Sequence, residues 1–382
     1  MPRHAILNSF AAATALLCAC ANGPSVAQSE PENSVPLDEL EVTSLSNGGT
    51  GDARNFKLLG MPESIQNDGV LLNWPGSGAA TRFEGSQLLA TIDGNADTYL
   101  DIQINDVQKT IQLDEGRLTY RLIDATPGTY DVSFRIRTER AYRPIKFEGF
   151  TSEDGVISAP ERSELQLLVI GDDVATGYGI EGEDQFCTYS RETQNANLSF
   201  ASLVGQDLNA DVAIVARSGR GLAKNWNNAA APTMADFYGT TAQAGAMNAL
   251  GEMDAVIVQL GAMDIAQSDM DAGFRVAYAD LLDDIRADHP DAEIVAAWGP
   301  MGDGDGYAAA KTVITELVDG RKTSGDDKVS FIEFTTTEFG QLYGCDWHPS
   351  ADTQRFMATS LTAHLANRLS LDVDVGDLLL GG

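Results

Sequence analysis

Leu165-Gln166-Leu167-Leu168-Val169-Ile170-Gly171-Asp172-Asp173 is a short apolar run that breaks into Gly-Asp-Asp. A run of this length with no polar alternation reads as a strand buried on both faces, followed by a loop. Runs of the same kind recur at Val212 to Ala216, Ala255 to Leu260, Ile294 to Trp298 and Val329 to Phe334, with helical stretches between them. The clearest helix carries Phe274, Tyr278, Leu281 and Ile285 on one stripe and ends at His289-Pro290. A final helix is expected from about Thr353 to Leu369. Alternating strands and helices imply a parallel sheet covered by helices on both faces, a three-layer α/β/α domain over residues 160–372.

Upstream the period changes. Leu100, Ile102 and Ile104 alternate with Asp101, Gln103 and Asn105, and Tyr130, Val132, Phe134 and Ile136 alternate with Asp131, Ser133 and Arg135. A period of two marks half-buried strands, and Asp93-Gly94 and Pro127-Gly128 supply turns. Residues 55–155 are therefore expected to form an antiparallel β-sandwich of jelly-roll type.

The remaining sequence bounds the setting. A chain of 382 residues fits two domains, and 25 basic against 56 acidic side chains give a net charge of −31. That charge disfavours nucleic acid and anionic lipid as partners, while 43% hydrophobic residues point to real cores. Four cysteines and four histidines form no CxxC or HExxH, so neither a metal nor another cofactor is expected. Residues 1–27 read as an export signal, with Arg3, an apolar run and small residues beyond. Leu17-Cys18-Ala19-Cys20 resembles a lipobox that would lipidate Cys20; cleavage after Ala27 would instead release a secreted protein. Membrane attachment would run through the N-terminal lipid alone, at the cell surface or in the periplasm. Residues 28–54 read as a flexible linker and 373–382 as a tail.

In an open parallel sheet, ligands sit beyond the carboxyl ends of the strands. The loops there are Gly171-Asp172-Asp173-Val174-Ala175-Thr176-Gly177-Tyr178-Gly179, Ser218-Gly219-Arg220-Gly221-Leu222 and Gly261-Ala262-Met263-Asp264, joined by Gly344-Cys345-Asp346-Trp347-His348-Pro349-Ser350 near the C-terminus. With these motifs the chain resembles the SGNH (GDSL-type) hydrolases, and within them the two-domain carbohydrate esterase family 2, which removes acetyl groups from polysaccharides. Asn73-Trp74-Pro75-Gly76-Ser77, Arg82-Phe83-Glu84-Gly85 and Arg137-Thr138-Glu139 look like that family's jelly-roll module. Phe186-Cys187-Thr188 and Trp298-Gly299-Pro300-Met301 look like parts of its hydrolase half.

The resemblance implies a Ser nucleophile after Gly-Asp, a His base, and an oxyanion hole of main-chain N–H groups and an Asn side chain. Mapped onto this chain, His348 is the base, Gly219 or Gly221 the second-loop donor, and Asp346, two residues before His348, the nearby acid. Three positions depart from the pattern: Asp173 stands where the family has Ser, Met263 where it has Asn, and Cys345 three residues before His348 where the family generally places its orienting acid, a role that a main-chain carbonyl takes in some of its members. Cys187 and Cys345 are the pair that an oxidising compartment would join. Trp74 and Trp298 read as core, Trp226 and Trp347 as flanking a groove, and His289 and His364 as surface or capping residues.

Three readings follow. The preferred one is a pseudo-esterase that keeps fold and groove and binds plain or acetylated glycans without turnover. The second is a hydrolase in which Asp173 attacks as a carboxylate, or activates water beside His348. The third is a hard-cation site built from Asp172, Asp173, Asp264 and Asp346.

Overall fold

The computed structural model describes residues 55–66, 68–139, 143–229, 231–243, 247, 251–266, 272–302, 304–337 and 340–373. The expected signal segment with Cys20, the linker of 28–54 and the tail from residue 374 lie outside the described residues. The N-terminal half is a set of antiparallel strands: β1 (Lys57–Leu59), β2 (Pro62–Gln66), β3 (Gly69–Leu72), β4 (Gly78–Gly94), β5 (Tyr99–Ile104), β6 (Val107–Gln112), β7 (Gly116–Ile136), β8 (Ile145–Thr151) and β9 (Val156–Ser158). They run in the order β2-β3-β8-β4-β7-β5-β6, with β1 and β9 also paired to β4. The sheet thus extends past the expected boundary at residue 155, because β9 pairs with Arg82 to Glu84.

The long strands β4 and β7 pair along their length, with register shifts between Gly85 and Gln87 and between Leu88 and Leu89. Such shifts bend and twist a strand. The alternation predicted for β7 holds: Tyr130, Val132, Phe134 and Ile136 are buried. They meet Phe83, Phe147 and Phe150, and burying each such side chain contributes about 1.5–3 kcal/mol.

The second half is built on β10 (Gln166–Gly171), β11 (Asp211–Ala216), β12 (Ala255–Gln259), β13 (Glu293–Trp298) and β14 (Val329–Glu333). All neighbours are parallel, in the order β11-β10-β12-β13-β14. Leu168 and Ile170 of β10 pack into one apolar layer, and Leu167 and Val169 into the opposite one. That is why the run carries no polar residue: both faces are covered. The first layer holds α2 (Met234–Gln243), α4 (Ala272–Asp288) and α5 (Gly304–Thr323); the other holds α1 (Phe200–Asp207) and α6 (Ala351–Leu369). The short α3 (Ala262–Ile265) follows β12.

Phe274, Tyr278, Leu281 and Ile285 of α4 are all buried. His289 corrects the surface reading. It lies four residues beyond Ile285, on the same buried helix face, and its N–H still bonds the Ile285 carbonyl at 2.8 Å. Its ring is buried, with Nε2 unpartnered. His364 is half-buried against Ser330 Oγ at 2.9 Å. No described helix is long and apolar enough to cross a membrane.

The two halves are joined through polar and aromatic contacts. Trp74, from the loop after β3, belongs to the α/β core and meets Phe237 edge-on with ring centroids 5.7 Å apart. The Arg217 guanidinium lies 4.7 Å from the Trp74 ring centroid. Asn197 Nδ2 donates to Asp101 Oδ2 at 2.7 Å, and Ala196 N donates to the Arg137 carbonyl at 2.9 Å.

Candidate functional site

In the parallel register Gly171 lies opposite both Ala216 and Gln259, so β10, β11 and β12 end level. Their loops therefore open onto one edge. A Cβ at Gly171 would meet the Ala175 side chain at 2.5 Å, so glycine is required where the chain turns back after the strand. The turn is held by Thr176 Oγ1, which donates to the Asp173 carbonyl at 2.9 Å, and by Tyr178 N, which donates to the same carbonyl at 3.2 Å. Asp173 is thereby presented at the floor of a cleft of about 910 Å³.

Asp173, Gly219, Met263, Asp346 and His348 all line this cleft. The Asp173 carboxylate has two distinct oxygens: Oδ2 accepts the Gly219 N–H at 2.9 Å, and Oδ1 faces His348 Nε2 at 3.5 Å. At that distance His348 Nε2 makes no hydrogen bond to the carboxylate, and it has no other hydrogen-bond partner. His348 Nδ1 lies 3.0 Å from the Asp346 carbonyl oxygen. A carbonyl can only accept, so Nδ1 carries a proton and donates it, and Nε2 is the ring nitrogen turned toward Asp173.

Asp346 and Gly221 are each engaged elsewhere. The Asp346 carboxylate does not orient His348; it accepts the Tyr189 N–H at 3.0 Å and the Tyr178 hydroxyl at 3.3 Å, and the main-chain carbonyl takes its place at the imidazole. Gly221 is not the second-loop donor, because its N–H goes to Asn225 Oδ1 at 3.2 Å. Gly219 has φ +72°, a left-handed conformation suited to glycine, and this aims its N–H at Asp173.

The second loop is fixed from beneath by Asp264, which accepts N–H bonds from Leu222 at 2.8 Å, Ala223 at 2.6 Å and Lys224 at 2.8 Å. Burial raises the Asp264 carboxyl above its ordinary value, while those three N–H groups oppose the shift. Glu139, from the sandwich side, accepts the Ser218 N–H at 2.9 Å and is also pushed upward by burial. Asp172 is fully buried, with Oδ1 accepting the Val174 N–H at 3.3 Å and Oδ2 unpartnered. Its pKa stands well above the ordinary 3.8, first through burial and then through the neighbouring Asp173.

The His loop is strained and braced. Asp346 and Trp347 both have positive φ, 52° and 64°, which is uncommon for residues other than glycine. Cys345 forms a disulfide with Cys187, Cys345 N donates to the Gly179 carbonyl at 2.9 Å, and Asp346 N donates to the Cys187 carbonyl at 3.0 Å. Tyr178 lies against His348, with centroids 4.3 Å apart, and stacks on Tyr189 at 4.0 Å. Outside the cleft wall, Trp347 is 53% exposed and meets the 75% exposed Phe186 edge-on; Trp226, 46% exposed, stands at the cleft. Trp74 and Trp298 are buried.

Among the described residues no group of three or more His, Cys, Asp or Glu is placed to hold a metal, so Asp172, Asp173, Asp264 and Asp346 do not converge on one point. Sequence reasoning missed Glu139 and Tyr178 as parts of the site, although both stood inside quoted motifs.

Residues 63–160 match the carbohydrate esterase 2 N-terminal family, and residues 169–356 match the GDSL-like lipase/acylhydrolase family. The chain thus carries a carbohydrate esterase 2 N-terminal domain followed by a GDSL-like domain, and is close to the acetylxylan esterases of carbohydrate esterase family 2. It is 30% identical over 311 residues to a cellulase/esterase, CelE, of Acetivibrio thermocellus, covering 78% of this chain and 37% of that relative. An acetylxylan esterase / glucomannan deacetylase of Cellvibrio japonicus is 27% identical over 325 residues, covering 81% of this chain and 88% of its own length. The fold matches a family two carbohydrate esterase from Clostridium thermocellum in complex with cellohexaose, with TM-score 0.78, 29% identity, and coverage of 83% of this chain and 100% of the other.

Proposed function

We propose that this member of the family is an exported, lipid-anchored protein that binds plain or acetylated polysaccharide and does not hydrolyse acetyl esters. One observation carries the reading: the Asp173 carboxylate, at the position where the resemblance places the nucleophile, accepts the Gly219 N–H at 2.9 Å, the donor that an ester oxyanion would need. Ester hydrolysis builds negative charge on the substrate oxygen. Here a carboxylate already holds the donor, and the Met263 side chain has no N–H to add. Losing one such donor costs about 10²- to 10³-fold in rate. Loss of a triad member leaves only about 10³- to 10⁴-fold catalysis over water.

Glycan binding is supported by the retained cleft, by the exposed aromatics Trp226, Trp347 and Phe186 around it, and by the cellohexaose held in the related structure. Pyranose faces are apolar enough to lie on such rings. Lipid attachment rests on the sequence around Cys20.

The test is deacetylation of acetylated xylan and an aryl acetate by the purified protein, beside His348→Ala and the double variant Asp173→Ser with Met263→Asn. We expect no turnover by the parent, turnover by the double variant, and retention of the parent on a xylan or cellulose affinity gel. Parent turnover that vanishes in His348→Ala would overturn the reading. Trp347→Ala is expected to weaken retention about tenfold.

A further inference from the structure

The two oxygens of Asp173 are not equivalent, and their difference suits a chemistry other than ester hydrolysis. Oδ2 is held by the Gly219 N–H at 2.9 Å, whereas Oδ1 faces His348 Nε2 at 3.5 Å along the cleft. One part of the cleft around them is apolar, formed by Ala262, Met263, Ile265, Ala266 and Met301, and the rest is polar, with Tyr178, Ser218 and Asp346. We propose that Asp173 and His348 form a carboxylate–imidazole pair able to displace a leaving group from a saturated carbon, and that the cleft hydrolyses short primary alkyl halides through an alkyl-enzyme ester.

The first step asks nothing of the missing donors. Oδ1 gives a lone pair to the sp3 carbon, the carbon–halogen bond breaks, and the halide leaves with its electron pair. No oxyanion forms on the substrate, so a Gly219 N–H already taken by Oδ2 and an apolar Met263 do not obstruct it. In the second step His348 Nε2 takes a proton from water, and the resulting hydroxide attacks Asp173 Cγ. The charge then develops on Oδ2, the one oxygen already supplied with an N–H donor. Collapse breaks the bond between Cγ and Oδ1, the departing alkoxide takes the proton from His348, and Asp173 returns to solvent the proton of its new oxygen. The sum is alkyl halide plus water giving alcohol, halide and a proton.

The roles of both residues agree with their partners. The Asp346 carbonyl holds Nδ1 as a donor, which leaves Nε2 as the ring nitrogen that faces Asp173 Oδ1. A carboxylate nucleophile needs no prior deprotonation, unlike Ser, so the imidazole is required only in the second step.

The inference stands apart from the glycan reading, and its probe is bromobutane with the purified full chain. We expect His348→Ala to complete the first step and stall before the second, gaining the mass of a single butyl group that maps to Asp173. Asp173→Asn should gain none. The parent should release bromide and butanol, and in a single turnover run in heavy-oxygen water the butanol should be unlabelled, because its oxygen comes from Asp173. Labelled butanol in that first turnover, alkylation of His348 or a methionine instead of Asp173, or bromide release no faster than in Asp173→Asn would each overturn the proposal. The isotope measurement uses the parent alone and holds even where His348→Ala fails to fold.

Discussion

Asp173 and Met263 act on one oxyanion by different means, and their effects should separate. With Asp173→Ser alone, the Gly219 N–H is released but the side-chain donor is still absent. Aryl acetate turnover by that single variant is expected to be about 10²- to 10³-fold below the double variant carrying Met263→Asn, as read from initial rates. Asp172 offers a prediction on stability. Its folded pKa lies above 3.8, so the folded state holds a proton that the unfolded chain releases. The contribution is complete below pH of about 4 and is lost as pH rises through the folded value. Asp172→Asn should flatten the decline of melting temperature from pH 4 upward, and a slope equal to the parent's would contradict the assignment. Asp173, Met263 and His348 were legible because each stands at a fixed offset from a strand end or a motif. Glu139 was not, since its contact with Ser218 depends on how a distant sandwich strand approaches the second loop.

At the scale of elements, the two loops that carry Gly219 and His348 are braced by different devices. Asp264 collects three main-chain N–H groups, and replacing it with Ala would leave them buried without an acceptor. A loss of about 3 kcal/mol in urea unfolding is expected. The His loop depends on the Cys187–Cys345 bond to hold its left-handed residues. The double Cys→Ser variant should lose about 2–4 kcal/mol and, in the Asp173→Ser/Met263→Asn background, lose turnover as well. The strands themselves were readable, because burial on both faces removes every polar residue from β10 between Leu167 and Ile170. The conformations of Asp346 and Trp347 were not readable, because nothing in Cys-Asp-Trp-His announces two successive positive φ values.

On the scale of the molecule, the sandwich forms part of the site's foundation. Trp74 is buried in the core of the other half, beneath Arg217, while Glu139 holds the N–H of the next residue, Ser218. Trp74→Ala should cost about 3–5 kcal/mol in denaturant unfolding, with the α/β half losing structure together with the sandwich in one transition. Two separate transitions, the sandwich melting alone, would contradict that coupling. The period of two and the buried runs showed both halves in advance, but their joint was hidden in Asn73-Trp74-Pro75, where a core residue for one half is encoded inside the other. The supporting role of Trp74 and Glu139 also bears on inheritance. A swap of sandwiches between relatives would carry a foreign residue beneath the second loop, so productive chimeras should require the incoming sandwich to bring its own matching partner for Arg217.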